Sequence, residues 1–334
     1  MRNNILILGS GTWGVTIANL LANNGNNVFV WGRNKEDIDN LNKTHVHKNL
    51  KYLNIDNNIK FIIDYKDVIN DCSVIIYAIT SNSFREVAHN SIMLISSDKY
   101  LVSLTKGMED ETLFTMSEIL EDELKKQNKN GNKVVVLSGP THAEEVAKEM
   151  PTMIVSASSN LDDAKCIQDL FMNDVFRVYT NTDIKGVEIC AAFKNVIALA
   201  SGILYGLGYG DNIRAALITR GLAEMVRVGE VMGCAKETFY GLAGIGDMIV
   251  TAFSEHSRNF KCGELIGKGI SANAAIKEIG MVVEGINFLP KAMEIKNKFS
   301  VELPVCSGIY EIVFNNVNPK DILKLLMTRS KKSE

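Results

Sequence analysis

The sequence predicts an α/β domain, built on a doubly wound parallel sheet, followed by an all-α domain. A strand, a glycine turn and a helix follow one another at the start of the chain. Apolar runs of strand length then alternate with amphipathic helical patterns, and long helical patterns replace this alternation after residue 181. The chain has 334 residues, of which 46% are hydrophobic. A chain of this length usually forms more than one hydrophobic core. We therefore expect an α/β domain at 1–183 and a helical domain at 184–334.

The first strand, residues 4–8, leads into glycines spaced G-x-G-x-x-G, after which residues 15–22 form a helical pattern. This order predicts a dinucleotide site on the N–H groups at the start of the helix. Gly9 allows the turn, Gly11 lets a pyrophosphate approach the backbone, and Gly14 lets the helix pack closely on the strand.

A second strand is predicted over residues 27–31, and Arg33 follows it. In NAD-preferring folds of this kind an Asp or Glu at this place binds the ribose hydroxyls. An arginine is suited to stack on adenine or to pair with a 2′-phosphate, and it can also simply be solvated. The choice between NAD and NADP therefore stays open.

Polar residues follow the later strands of the first domain. Lys106 and Gly139 come after two of them, at the sheet edge where ligands bind in such folds. Lys106 is either a ligand contact or a solvated lysine, and Thr141 is a candidate N-cap with Glu144 three residues later. The strands are predicted at residues 59–63, 73–79, 100–104, 134–137 and 153–157, with helical patterns such as 111–126 between them.

The second domain is predicted to be helical, and its first helix carries Lys194 in an apolar background. Burial lowers the pKa of a lysine, so Lys194 is a candidate proton acceptor near neutral pH. The alternatives are a side chain that extends to solvent and a structural pair with Glu188. The predicted helices cover about 184–206, 211–232, 258–268, 284–298, 304–314 and 319–328.

Further polar residues of this domain are candidates for binding a substrate. Asp247 either caps the following helix or binds substrate hydroxyls and orients the lysine. Ser257, Arg258 and Asn259 combine several hydrogen-bond donors with one fixed positive charge, as a phosphate requires. Glu284 adds a carboxylate at the end of a loop, where helix capping is the alternative.

Composition excludes several other classes of function. The net charge is −3 and the 22% of charged residues form no long blocks, so we expect no nucleic-acid partner. The apolar run at 5–8 is too short for a signal peptide, and we expect no membrane span and a cytoplasmic protein.

The cysteines and histidines predict no metal site. No C-x-x-C pair is present, and His45 and His47 lie in a polar segment that we expect at the surface. We expect the cysteines to be reduced core residues: Cys72, Cys166, Cys190, Cys234, Cys262 and Cys306.

Together these motifs resemble, in order and spacing, those of the bacterial-type NAD(P)-dependent glycerol-3-phosphate dehydrogenases, whose first domain is Rossmann-like. The resemblance covers about residues 4–328. Two departures lie beside the site: Cys190-Ala191 stands where the family commonly has two glycines, and His142 replaces a usual Phe. The motifs are Gly9-Ser10-Gly11-Thr12-Trp13-Gly14, Lys106-Gly107, residues 139–145, Lys194-Asn195, residues 244–247, residues 257–259 and residues 283–285.

The resemblance implies an oxidoreductase that interconverts sn-glycerol 3-phosphate and dihydroxyacetone phosphate with NAD(H) or NADP(H). It also implies a supply of glycerol 3-phosphate for phospholipid synthesis. We expect no metal, because a protonated lysine can polarise the carbonyl, and we expect a homodimer from the prevalence of twofold oligomers. Lys194 would be the proton acceptor. The substrate would contact Lys106, Gly139, Thr141, Lys194, Asp247, Ser257, Arg258 and Asn259. The dinucleotide would contact Gly9, Ser10, Gly11, Thr12, Trp13, Gly14, Arg33, Lys106, Ala143, Arg258, Val282 and Glu284.

Two other functions fit parts of this pattern. A different hydroxyacid dehydrogenase with a helical second domain would also use a lysine and an asparagine on this helix. A redox-sensing module would keep the glycine turn and would not need Lys194. Activity with dihydroxyacetone phosphate distinguishes a glycerol-3-phosphate dehydrogenase from the other hydroxyacid dehydrogenases. Turnover of any kind distinguishes an enzyme from the redox-sensing module.

Overall fold

The computed structural model describes residues 2–331 and 333, and the chain divides into two compact units, Met1–Glu188 and Ile189–Glu334. The first unit is an α/β sheet structure and the second is helical. The predicted fold class is therefore confirmed.

One sheet forms the centre of the first unit. Its strand order is β3-β2-β1-β4-β5-β6-β7-β8, and neighbouring strands are parallel except for the antiparallel pair β6 and β7. The first six strands thus have the order 3-2-1-4-5-6 of doubly wound nucleotide-binding sheets. The expectation of a parallel sheet is wrong at β7. A short connection follows β6, and β7 runs antiparallel beside it. The strands are β1 (Asn4–Leu8), β2 (Asn27–Trp31), β3 (Lys60–Ile62), β4 (Val74–Tyr77), β5 (Tyr100–Ser103), β6 (Lys133–Ser138), β7 (Thr152–Ala157) and β8 (Phe176–Asn181).

Apolar clusters cover both faces of this sheet. Ile5 and Ile7 of β1 belong to one cluster, and Leu6 and Leu8 belong to the other. Because successive side chains of a strand point to opposite faces, a strand buried on both sides is apolar throughout. The helices of the unit are α1 (Thr12–Asn23), α2 (Lys35–Thr44), α3 (Phe84–Leu94), α4 (Met116–Lys126), α5 (Ala143–Val146) and α6 (Leu161–Phe171), with 3₁₀ turns at Ile69–Asp71 and Ser81–Ser83.

Strand β8 is absent from the sequence-based prediction. It lies at the end of the sheet, next to β7. Arg177 and Tyr179 are exposed while Phe176 and Val178 are buried. Only one face of β8 is therefore buried, so its sequence lacks the continuous apolar run that predicts a strand covered on both faces.

The second unit is helical, and α8, α10, α11 and α13 contact α7. The predicted long helices are present, whereas the short helices α9 and α12 are missing from the prediction. The helices are α7 (Ile184–Gly206), α8 (Asp211–Val231), α9 (Lys236–Phe239), α10 (Asp247–Phe253), α11 (Arg258–Gly267), α12 (Ala272–Ile279), α13 (Glu284–Phe299), α14 (Pro304–Phe314) and α15 (Pro319–Met327), with one π-helical turn at Leu242–Gly246.

Glycines bring the backbones of α7 and α11 into contact. A Cβ at Gly202 of α7 would lie 2.0 Å from the carbonyl oxygen of Phe260, and one at Gly263 of α11 would lie 2.0 Å from that of Leu199. No side chain fits at such distances, so these positions accept only glycine. The contact fixes the start of α11, where Ser257 and Arg258 lie, relative to α7.

Helix α7 is long and apolar enough to cross a membrane by length and composition alone, and no other helix among the described residues is. The whole apolar window is buried inside the protein. Core helices of globular proteins have these properties too, so α7 is no clear membrane span.

Two expectations about single residues are corrected. All six cysteines are free, but Cys166 is exposed and Cys234 is half-buried, so these two are not core residues. His47 is 4% exposed, and the expectation that it lies at the surface is wrong. The polar neighbours of His47 concealed its burial, because the chain turns it inward at an isolated bridge to Leu50.

Glu188 is a buried carboxyl group in the first turns of α7. It accepts hydrogen bonds from the backbone N–H of Ser117, at 2.9 Å, and from the Ser117 hydroxyl. Burial raises the pKa of Glu188 to about 7, and the hydrogen bonds from Ser117 oppose this only in part.

The raised pKa of Glu188 predicts a dependence of stability on pH. The folded protein holds this proton more tightly than the unfolded chain, so the stabilisation is complete below about pH 4.5 and is lost as the pH rises through about 7. The amide in the variant Glu188→Gln is neutral at every pH. We expect the free energy of unfolding of the wild type to fall by about 2 kcal/mol relative to that of Glu188→Gln between about pH 5 and about pH 8.

Urea unfolding of both proteins at several pH values measures this difference. The exposed Glu255→Gln is the control, and its stability should follow that of the wild type. Parallel curves for the wild type and Glu188→Gln would contradict the proposed protonation of Glu188.

Candidate active site

The glycine turn after β1 is tightly built except at one position. Gly9 has a φ of +130°, and a Cβ on it would lie 2.2 Å from the carbonyl oxygen of Ala78. A Cβ on Gly14 would lie 2.1 Å from the carbonyl oxygen of Gly9, whereas one on Gly11 would have no heavy atom within 4 Å. Gly11 is the N-cap of α1. The turn thus leaves an open space at Gly11, in front of unpaired helical N–H groups, which suits a phosphate.

His47 packs behind this turn. Its Nδ1 accepts a hydrogen bond from the backbone N–H of Asn49 at 3.2 Å, and the ring also bonds to the backbone of Ser10. Burial, with a contribution from Lys48, lowers the pKa of His47. A neutral ring therefore supports the turn.

The other dinucleotide candidates of the first unit lie at the ends of β1 and β2. Thr12 and Trp13 form the first turn of α1, and Trp13 packs against the apolar cluster beneath it. Arg33 follows β2, is exposed, and forms no ion pair within the described part of the chain. Its guanidinium is therefore available to a ligand.

Lys106, Gly139 and Thr141 lie where β5 and β6 end. The Lys106 Nζ and the Thr141 hydroxyl both donate to the carbonyl oxygen of Gly139, at 3.5 and 3.3 Å. The expectation that Thr141 caps the next helix is wrong. The N-cap of α5 is His142, without a side-chain cap, and α5 begins at Ala143.

Lys194 is buried in the second unit and forms a salt bridge. It is 5% exposed, and its Nζ lies 2.5 Å from Oδ1 of Asp247, which is 1% exposed. The Nζ also donates to the Thr251 hydroxyl at 2.8 Å. Of the three interpretations of Lys194, extension to solvent is excluded, and its salt bridge is with Asp247 rather than Glu188.

The π-helical turn before α10 positions Asp247. A Cβ on Gly244 would lie 2.1 Å from the carbonyl oxygen of Phe239, so this turn packs directly on the end of α9. Asp247 continues the helix from Gly246 and is not an N-cap. The Thr251 hydroxyl, one helical turn later, donates to the Asp247 carbonyl at 2.6 Å.

Asp247 places a carboxylate directly against the amine of Lys194. The sequence predicted a lysine made less basic by burial alone. A carboxylate at hydrogen-bonding distance stabilises the ammonium form and opposes the effect of burial. The arrangement can therefore hold a proton on Lys194 within a site of low water content.

A second network connects three motifs of the helical unit. The Asn259 amide donates to Asn195 Oδ1 at 3.0 Å and accepts from the backbone N–H of Gly285 at 2.8 Å. The Asn195 amide donates to the Ala191 carbonyl at 3.2 Å. Asn259 therefore holds these segments together, and both ends of its side chain are already in use.

The neighbours of Asn259 are placed differently. The Ser257 hydroxyl caps α11 by accepting from the Phe260 N–H at 3.2 Å, which leaves its own hydrogen available. Arg258 is exposed and forms no ion pair among the described residues. Glu284 is the first residue of α13 and is half-buried, and Val282 lies exposed just before it.

Sequence reasoning missed the contributions of Thr251 and Asn195. Thr251 follows Asp247 by four residues, the spacing of one helix face, and this would have identified it. Nothing in the sequence pairs Asn195 with Asn259, 64 residues away. Among the described residues no group of three or more His, Cys, Asp and Glu side chains is arranged to hold a metal ion.

The strand order, the glycine turn and a helical unit with a buried lysine–carboxylate pair define the class. They are typical of an oxidoreductase that uses a nicotinamide dinucleotide. Models of the N-terminus and of the C-terminus of NAD-dependent glycerol-3-phosphate dehydrogenase match residues 4–164 and 183–324. The chain belongs to this family, and the resemblance seen in the sequence is confirmed.

Named relatives and a solved structure agree. The chain is 49% identical over 329 residues to glycerol-3-phosphate dehydrogenase [NAD(P)+] 2 of Lactobacillus delbrueckii subsp. bulgaricus, covering 98% of each chain. It is 44% identical over 335 residues to the enzyme of Clostridium acetobutylicum, covering 99% of this chain and 98% of the other. The crystal structure of glycerol-3-phosphate dehydrogenase from Coxiella burnetii has a TM-score of 0.92 at 32% identity, covering 98% and 99% of the two chains.

Proposed function

We propose that this protein interconverts sn-glycerol 3-phosphate and dihydroxyacetone phosphate, with NAD(H) or NADP(H) as the hydride carrier. The observation that carries the proposal is the buried salt bridge between Lys194 and Asp247, in a chain of this family. The other hydroxyacid dehydrogenases and the redox-sensing module are less favoured, because the family match spans both units.

Lys194 transfers the proton of the reaction. A nicotinamide dinucleotide held at the glycine turn would supply the hydride chemistry at C2 of the substrate. In the oxidation Lys194 takes the proton of the C2 hydroxyl, and in the reduction its ammonium donates a proton to the carbonyl oxygen. Asp247 and Thr251, at 2.5 and 2.8 Å from the Lys194 Nζ, hold the amine in place.

Arg258 binds the substrate phosphate. Its exposed guanidinium offers several donors and a permanent charge, and the Ser257 hydroxyl next to it adds another donor. Asp247 also contacts a substrate hydroxyl, and Lys106, Gly139 and Thr141 contribute from the first unit. Asn259 acts mainly by fixing this segment to Asn195 and Gly285.

The first unit, assigned to 1–183, binds the dinucleotide through Gly9, Ser10, Gly11, Thr12, Trp13 and Gly14. Arg33 contacts the adenosine part of the dinucleotide, with or without a 2′-phosphate on its ribose. The unit at 184–334 supplies the base and the phosphate-binding arginine. The remaining cofactor contacts are proposed for Lys106, Ala143, Arg258, Val282 and Glu284.

The setting of the enzyme is also part of the proposal. Six free cysteines fit a reducing compartment, so we place the protein in the cytoplasm. A homodimer is proposed from the prevalence of twofold symmetric oligomers among soluble enzymes. As in the family resemblance, its product would be glycerol 3-phosphate for phospholipid synthesis.

Lys194→Ala tests the proton transfer. Without the ammonium no positioned group donates a proton to the carbonyl oxygen of dihydroxyacetone phosphate, and we expect turnover to fall by about 10²–10⁴-fold. NADH binding should persist, because the glycine turn is unchanged. The measurement is NADH and NADPH oxidation with dihydroxyacetone phosphate, with the exposed Lys261→Ala as the control. Turnover near that of the wild type would remove Lys194 from the mechanism.

Gly11→Ala tests the pyrophosphate site. The added methyl group enters the open space at the turn, so we expect at least about tenfold weaker NADH binding and a stability within about 0.5 kcal/mol of the wild type. Gly210→Ala is a matched control, because Gly210 is also an extended helix N-cap with no heavy atom near its Cβ position. Fluorescence titration with NADH measures the affinity of both variants. An unchanged NADH affinity in Gly11→Ala would contradict the pyrophosphate site.

A further inference from the structure

Arg85 connects the loop that carries Lys106 to two helices. We define the Lys106 loop as residues 105–115, between β5 and α4. Arg85 lies in the first turn of α3. Its Nε and Nη2 lie 2.5 and 2.7 Å from the two carboxylate oxygens of Glu109, within the loop. This is a bidentate pair, with side chains 27% and 18% exposed.

The remaining nitrogen of Arg85 binds α4. Nη1 lies 2.5 Å from Oδ2 of Asp122 and 2.8 Å from Oε1 of Glu123. The side chain of Glu123 is 4% exposed. One guanidinium therefore fixes the Lys106 loop to α3 and α4 at once.

The Lys106 loop is closed on itself around Glu109. The Glu109 N–H donates to the Phe114 carbonyl at 2.8 Å, and the Thr112 hydroxyl donates to Glu109 Oε2 at 2.6 Å. Glu111 and Leu113 have φ values of 66° and 59°, which non-glycine residues rarely adopt. Such a conformation persists only where its surroundings determine it strongly. The carboxylate of Glu109 is part of those surroundings.

Lys106 lies between two fixed points. On one side the Thr105 hydroxyl donates to the Ile79 carbonyl at 2.9 Å, at the edge of the sheet. On the other side Gly107 packs on Ser81, where a Cβ would lie 2.9 Å from the Ser81 Cβ. Glu109 follows Lys106 by only three residues, about 10 Å at most. Glu109 is therefore the next anchor of the loop after Gly107, and its loss leaves the backbone of Lys106 held by the contacts of its two neighbours.

We infer that the Arg85–Glu109 pair is a positioning pair for Lys106. It holds the Lys106 ammonium beside the Gly139 carbonyl, at the sheet edge where the phosphorylated substrate is expected. This inference rests on the proposed role of Lys106 in substrate binding. A bidentate grip of this kind needs the planar guanidinium and both carboxylate oxygens, so it is lost in Arg85→Lys and in Glu109→Gln alike.

Glu109→Gln tests the inference. The amide accepts at one atom only and carries no charge, so the loop loosens and Lys106 is displaced. We expect KM for dihydroxyacetone phosphate to rise about tenfold, with kcat lowered less than about threefold. Arg85→Lys should give the same pattern. Circular dichroism establishes that both variants are folded.

Asp122→Asn is the matched control. It weakens a contact to Arg85 of the same 2.5 Å length, but from α4 and not from the loop, together with the pair that Asp122 forms with the exposed Lys126. We expect its urea midpoint to fall about as much as that of Glu109→Gln while KM stays within about twofold of the wild type. An equal rise of KM in Asp122→Asn would show general destabilisation and overturn the positioning role.

A double-mutant cycle with Lys106→Ala tests whether Glu109→Gln changes KM through Lys106. If Glu109 acts through Lys106, Glu109→Gln adds no further rise of KM once the Lys106 side chain is gone. An equal rise in both backgrounds, or no rise in the wild-type background, overturns the inference. An unchanged KM in Lys106→Ala alone removes the substrate role of Lys106 and the inference with it. Failure of the proposed function is distinct, since the wild type would then oxidise no NADH.

Discussion

The proposed chemistry of this protein depends on the salt bridge between Lys194 and Asp247. Both side chains are almost fully buried, and each would be costly to bury alone. The two charges therefore have to be held together. Gly244 contributes to this, because it lets the turn that precedes Asp247 pack directly on α9. A buried ammonium held in this way can give and recover a proton without free access of water.

Glycines allow close backbone contacts at other segments as well. Gly9 and Gly14 bring backbone to backbone in the turn after β1, and Gly202 and Gly263 do so between α7 and α11. Gly11 differs from them, because nothing in the protein fills the space beside it. Tight packing around an open position is how a rigid scaffold presents a ligand site.

Much of this could be predicted from the sequence, because local patterns determine it. Continuous apolar runs predicted β1 to β7, and the glycine spacing predicted the first turn. Strand β8 was missed because only one of its faces is apolar, and the antiparallel direction of β7 was missed because an apolar run does not specify the direction of a strand. The motifs predicted the site residues through family resemblance, and their roles stay predictions. Asp247 was already one predicted partner of Lys194, whereas the contact of Asn195 with Asn259 joins distant segments that no single-sequence pattern pairs.

Rescue of Lys194→Ala by small primary amines tests the central claim most directly. If Lys194 is the group that transfers the proton, an added amine of similar size enters the vacated space and restores part of its function. Turnover with dihydroxyacetone phosphate and NADH should then rise with amine concentration, reach saturation, and depend on the basicity of the amine. A variant that still binds NADH but gains no turnover with any amine would contradict the account.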